Sequence, residues 1–220
     1  MSRIHHFVLA STLILSAAAA HAETNLLTNG SFETPSIAGT SYVLYGQGST
    51  AITGWTVVGD DTQLTRAEFL AASEGSQWID LTGIYGYNKG LRSDAVATTV
   101  GQRYTLSFDI GDYYVPGFQT ATIGVSINNG SQTLFTNIYE AGVMDWKRQT
   151  LSWVADSSSA SITFLGAENG SLSNNAGIGL DNVVFTQAPA VPEPATYGML
   201  LGGLAMVGAL MRRKNGSKAV

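Results

Sequence analysis

Short runs in which apolar and polar residues alternate, broken by Gly, Asn, Asp and Ser, recur through most of this chain. In 103–111, Leu106, Phe108 and Ile110 alternate with Thr105, Ser107 and Asp109; in 122–127, Ile123, Val125 and Ile127 alternate with Thr122, Gly124 and Ser126. A period of two puts the apolar residues of a strand on one face. Asn128-Asn129-Gly130 predicts a turn, with 133–140 returning as the hairpin partner. The same pattern predicts strands over 25–32, 42–45, 54–58, 77–82, 94–99, 148–155, 161–165 and 178–185. One segment, 62–72, predicts a short helix from Leu64, Ala67, Phe69 and Leu70. About ten strands at a spacing of roughly 8–12 residues predict an all-β sandwich. Trp55, Trp78, Tyr104, Phe108 and Trp153 fall at alternating strand positions and read as core.

The two ends of the chain read differently. Residues 1–22 carry Arg3, an apolar run over 7–20, and Ala20-His21-Ala22 as a small-x-small cleavage site. This predicts a secretory signal peptide, with the mature chain starting at Glu23. The β domain then occupies 23–187, and a Pro/Ala-rich extended linker occupies 188–196. Residues 197–211 are uncharged and predict a membrane helix; 212–220 form a basic tail that stays in the cytoplasm. At ~1.5 Å per residue the helix covers only ~22 Å of a ~30 Å hydrocarbon core, which suits a transient anchor. Pro192 and Pro194 stop the helix from running backward.

The tail combines Val191-Pro192-Glu193-Pro194-Ala195, the apolar helix, and Arg212-Arg213-Lys214. In this three-part order it resembles the PEP-CTERM sorting signal, also described as an ice-binding-protein C-terminal domain. That resemblance implies recognition by an exosortase, passage to the cell surface or extracellular matrix after processing, and an exopolysaccharide or biofilm setting.

Charge and composition remove several function classes. Charged residues are 12% of the 220, and the net charge is −5. Within 23–187 six Lys and Arg face fifteen Asp and Glu, a net −9. Such an acidic domain disfavours nucleic acid and anionic headgroups and suits cations or neutral sugars. With no cysteine there is neither disulfide nor thiol chemistry. His5, His6 and His21 all lie in the signal peptide, so the mature domain lacks histidine triads and histidine zinc sites.

Five blocks in order carry a second resemblance. They are 25–33 (NLLTNGSFE), 52–57 (ITGWTV), 74–81 (EGSQWIDL), 99–109 (TVGQRYTLSFD) and 179–183 (GLDNV). Together they resemble the galactose-binding-like jelly-roll domain of unknown function shared by plant cell-wall proteins and bacterial PEP-CTERM proteins. Carbohydrate-binding modules are more distant relatives. The resemblance implies a jelly-roll sandwich and carbohydrate binding, with extracellular polysaccharide as partner. The paired cysteines of the plant members are absent, and Asn182 stands where the closing motif has a second Asp.

Three sets of residues could carry chemistry. Glu33 and Asp181 could hold a structural calcium with loop carbonyls; the other reading is that Glu33 caps a turn and Asp181 accepts from backbone amides. Tyr85, Tyr87, Tyr113, Tyr114 and Phe118 lie in glycine-rich connections. Their rings could stack on sugars while Asn88, Arg92 or Asp112 bonds hydroxyls, or could cover the sandwich ends. A hydrolase would need two carboxylates across a cleft. Asp60-Asp61 and Asp109/Asp112 are the nearest pairs, and alternation along a strand turns such neighbours apart. The leading expectation is a non-catalytic, carbohydrate-binding surface protein. A structural matrix or adhesion protein is second and a polysaccharide hydrolase a distant third.

Overall fold

The structure is a computed structural model, describing residues 24–82, 89–113, 120–140, 142–166, 177–189 and 194–216. Two antiparallel sheets face each other. The larger runs β1 (Tyr42–Gly46), β3 (Asp61–Arg66), β4 (Gln77–Asp80), β13 (Ile178–Gln187), β7 (Arg103–Tyr113), β10 (Met144–Val154). The smaller runs β2 (Trp55–Gly59), β5 (Lys89–Ser93), β12 (Ile162–Gly166), β8 (Thr120–Ile127), β9 (Thr133–Ile138). A two-stranded ladder, β6 (Val96–Ala97) with β11 (Ser159–Ala160), stands apart. The β-sandwich expected from the alternating pattern, and the jelly roll that the resemblance implies, are thus present.

The period-two argument holds strand by strand. Tyr104, Leu106, Phe108 and Ile110 of β7 are buried against Ile123 and Val125 of β8, Phe164 of β12 and Phe185 of β13 in one core cluster. The Asn128-Asn129-Gly130 turn forms as expected. Both asparagines have positive φ, at 52° and 56°, and Gly130 N donates to Ile127 O.

Four expectations are corrected. Residues 25–32 form turns, not a strand. Asn29 and Phe32 take positive φ, and Asn25 spends its amide on Val183 O and its Oδ1 on Phe185 N. The helix over 62–72 is absent. Thr62, Leu64 and Thr65 pair into β3 between β1 and β4, and turns follow. The β-branched threonines and two available partner edges outweigh a weak helical period. Strand β5 (KGLRS) was not foreseen because a buried Lys89 hides its alternation. The helix α1 (Pro194–Gly216) is longer than 197–211 at both ends, with a proline in its first turn. Yet no helix among the described residues is long and apolar enough to cross a membrane. Its large apolar side chains, including Met199, Leu201, Leu204 and Val207, are exposed.

Candidate functional site

The strand directions bring the strand ends that flank three connections, 81–88, 114–119 and 167–177, to one end of the sandwich. β4, β7 and β12 finish there, and β5, β8 and β13 start there, each antiparallel to its neighbours. The connections carrying Tyr85, Tyr87 and Asn88, and Tyr114 and Phe118, therefore leave from and return to this rim; these five residues lie outside the described ones. The signal-peptide residues Ala20 and Ala22, and Val191, Pro192 and Glu193 of the sorting motif, lie outside them too.

The rim has a polar interior. Lys89, fully buried, reaches from β5 to Asp61 Oδ1 on β3 at 2.5 Å and ties the two sheets together. Asp112 continues the core row of β7 and is fully buried. Neither of its oxygens has a donor in bonding geometry. Burial pushes its carboxyl up to about 6; the amides of Tyr139 and Ala121 and the charge of Lys147 pull it down, and the Asp145 carboxylate raises it. Asn137, also buried, donates to Ile110 O at 3.0 Å and Asp145 O at 2.9 Å.

The structure does not bring the described sugar-site residues together. Tyr113 ends β7 on the outward face of the larger sheet and is half-buried. A Cβ on Gly177 would lie 2.6 Å from its ring. Burial, and then the nearby Asp80 carboxylate, push its hydroxyl up to about 12. Arg92 is exposed on β5, in the other sheet, on the face turned from the core.

Glu33 and Asp181 both clasp one segment, 73–77, from two sides. Glu33 accepts from Ser76 N at 2.7 Å, Gln77 N at 2.9 Å and Ser76 Oγ at 2.6 Å. Asp181, fully buried, accepts from Ser73 N at 2.9 Å, Glu74 N at 2.8 Å and Asn182 N at 2.6 Å. Burial pushes its carboxyl up to about 7 against these amides. These donor-rich surroundings match the turn-capping reading; calcium wants oxygens in their place. Among the described residues no three His, Cys, Asp or Glu group as metal ligands.

The clasped segment is the EGSQ block, and it locks the fold. Gln77 donates to Phe32 O and Pro35 O and accepts from Ile37 N. Just upstream, Ser73 Oγ bonds Asp109, while Leu70 O and Ala71 O accept from the indoles of Trp78 and Trp146. The 67–76 connection is thus strapped over the outward face of the larger sheet. Trp78 is buried beneath it rather than between the sheets, edge-on to Trp146 at 5.9 Å.

Asp109 and Asp112 lie three residues apart on β7 and so turn to opposite faces. Asp109 is held by Ser73, Arg148 and Asn182. Asp61 is paired with Lys89 while Asp60 is exposed. Neither pair faces its partner across a cleft.

The residue that strand alternation hides is Trp153. It sits on the core side of β10, yet it is only partly buried and lines a groove of about 250 Å³. Its being on an edge strand was the available signal.

Comparison with known proteins agrees with this architecture. In structure the domain is similar to a cyclase from Fischerella sp. TAU, solved with 4-(1H-indol-3-yl)butan-2-one. That match has 20% identity, 78% of this chain and 100% of that one covered, and a TM-score of 0.53. It is more loosely similar to the CBM22-1 xylan-binding domain from Paenibacillus barcinonensis Xyn10C (17% identity, 79% and 100% covered, TM-score 0.42). TmCBM61, solved with β-1,4-galactotriose, is comparable (13%, 76% and 100%, TM-score 0.40). No curated protein matches the sequence. Residues 190–214 match the PEP-CTERM protein-sorting motif, so the tail including Pro194, Arg212, Arg213 and Lys214 is an exosortase signal. Residues 25–185 match the model for the protein of unknown function DUF642, and with nearly all of its sandwich inside that match the chain belongs to the DUF642 family.

Proposed function

We propose that this is an exported protein, sorted through its PEP-CTERM tail to the cell surface or extracellular matrix. There its sandwich acts as a non-catalytic carbohydrate-binding module on extracellular polysaccharide, in a biofilm setting. The observation that carries the sugar reading is that the strand ends flanking the aromatic segments 83–88 and 114–119 share one end of the sandwich with a polar interior of Asp61, Lys89, Asp112 and Asn137. A combination of aromatic rings and polar groups suits a ligand with one apolar C–H face and a fringe of hydroxyls. The tail supports export and a transient membrane stage. Its helix exposes large apolar side chains such as Leu200, Leu204, Met206 and Leu210, which water does not favour, and an exosortase or a bilayer would cover them.

The non-catalytic reading is supported by a histidine-free domain and by carboxylates that turn apart or are already engaged. One observation favours the alternative of a structural matrix or adhesion protein. Edge strand β9 exposes Leu134 and Ile138, at 58% and 61%, beside an open sheet edge. The test is a pull-down of the mature protein on exopolysaccharide and on a glycan array, with calcium and with chelator. Saturable binding that is weakened by Tyr85→Ala and Tyr87→Ala supports the module. An intact fold with no glycan bound moves the protein to the structural class.

A further inference from the structure

At the opposite end from the rim the two sheets part. β10 has eleven residues and β9 has six, and β9 pairs with β8 only as far as Thr133 opposite Val125. The last residues of β10 therefore run on without a facing edge strand. The gap is the groove of about 250 Å³. Its apolar walls are Val125 and Ile127 from β8 and Leu151 and Trp153 from β10; Ser131, Thr133 and Asp156 form its polar margin.

Trp153 is fixed before any ligand arrives. Its ring packs on Tyr104 at 6.0 Å and on Phe185 at 6.3 Å, and those two rings stack on each other at 5.2 Å. The indole is held from the core side, and its remaining surface lines the groove. A rigid aromatic with few rotamers to lose suits stacking against a flat apolar ligand face. The margin supplies hydroxyls and one carboxylate. Among the described residues, the guanidinium bonded to a lining residue, Arg103 donating to Ser152 Oγ, sits on the outward face of the sheet with the Thr105 and Ser152 side chains. With a net −9 over 23–187, the surroundings repel anionic polymers.

We propose that this groove is a second carbohydrate site, built on Trp153, that takes a pyranose residue of a neutral polysaccharide chain. With the rim at the other end, one domain would then hold two chains and cross-link a matrix. The groove rests on its own observations and stands whether or not the rim binds.

The experiment is calorimetric titration of the mature protein with short neutral β-linked galacto-, xylo- and gluco-oligosaccharides, with oligogalacturonate as anionic control. Wild type, Trp153→Ala and Ser131→Tyr are compared, each checked for folding by circular dichroism. Trp153→Ala removes the platform; Ser131→Tyr obstructs the groove from an exposed turn without touching the core. The expected result is two sugars per wild-type chain and one in either variant. One in wild type and none in the variants keeps the groove and removes the rim reading. Equal stoichiometry and affinity in wild type and a folded variant overturns the groove. So does binding of oligogalacturonate alone, and so does no binding at all.

Discussion

Replacing Asp112 by Asn is expected to make the protein more stable at neutral pH and to leave it almost unchanged in acid. Asp112 is fully buried, the amides that face it fall short of full bonding geometry, and burial raises its carboxyl from 3.8 to about 6. The folded state therefore binds more protons than the unfolded one between about pH 4 and 6, and stability falls as pH rises through that window. A shift of roughly two units is worth up to about 3 kcal/mol once the group is fully ionised. The Tyr139 and Ala121 amides and Lys147 already offset part of the ionisation cost, while the Asp145 carboxylate adds to it. A neutral, isosteric asparagine side chain at this position carries no such cost. At about 2–4 °C per kcal/mol for a chain of this size, Tm near pH 8 should rise by roughly 5–10 °C. Near pH 4, where Asp112 is itself neutral, wild type and variant should melt together. Calorimetric melts at several pH values measure this directly. A variant that melts lower than wild type near pH 8 would refute the reasoning. So would a gain that does not depend on pH.

Other perturbations probe other parts of the fold. Gly30→Ala would place a Cβ 2.0 Å from Val183 O, a backbone atom that cannot swing aside, and should cost at least ~2 kcal/mol in a denaturant melt. Glu33→Ala strips acceptors from Ser76 and Gln77 and should lower stability by ~1–3 kcal/mol equally with calcium or chelator. A loss confined to calcium would support the metal reading instead. Lys89→Met leaves Asp61 without its buried partner and should cost ~3–5 kcal/mol, read from the unfolding midpoint. Deleting 191–220 removes the sorting tail and should shift the protein from the membrane fraction to the soluble one; unchanged retention would point to a second anchor.

Much of this was legible in the sequence where one face of a strand is buried. β7 and β8 were readable because Leu106, Phe108, Ile123 and Val125 pack in one core while their neighbours face outward. The pattern failed where side chains serve the backbone instead. Asn25, Asn29, Glu33 and Gln77 look like strand and loop residues, yet they satisfy amides and carbonyls of distant segments. No periodicity announces a bond from residue 25 to residue 183. It failed again at 62–66, where pairing with β1 and β4 decides the strand, and at β5, where a lysine occupies an interior position through its partner Asp61.

The same distinction bears on function. The blocks by which the family is recognised, NGSFE, EGSQ and the LDN of the closing strand, meet at one place. Glu33 and Asp181 hold EGSQ, and Asn182, at φ 50°, bonds Asp109 beside the β13 bulge. Their chemistry is consumed in fastening the N-terminal turns and the 67–76 strap to the sandwich. A motif of that kind reports the fold and is silent on the ligand. The groove at Trp153 has the opposite character. It arises from a difference in length between two edge strands, and none of its lining residues falls in those three blocks. Specificity in this family should therefore vary with the length of β9 and with the residues at 131, 133, 153 and 156, while the clasp around 73–77 stays the same.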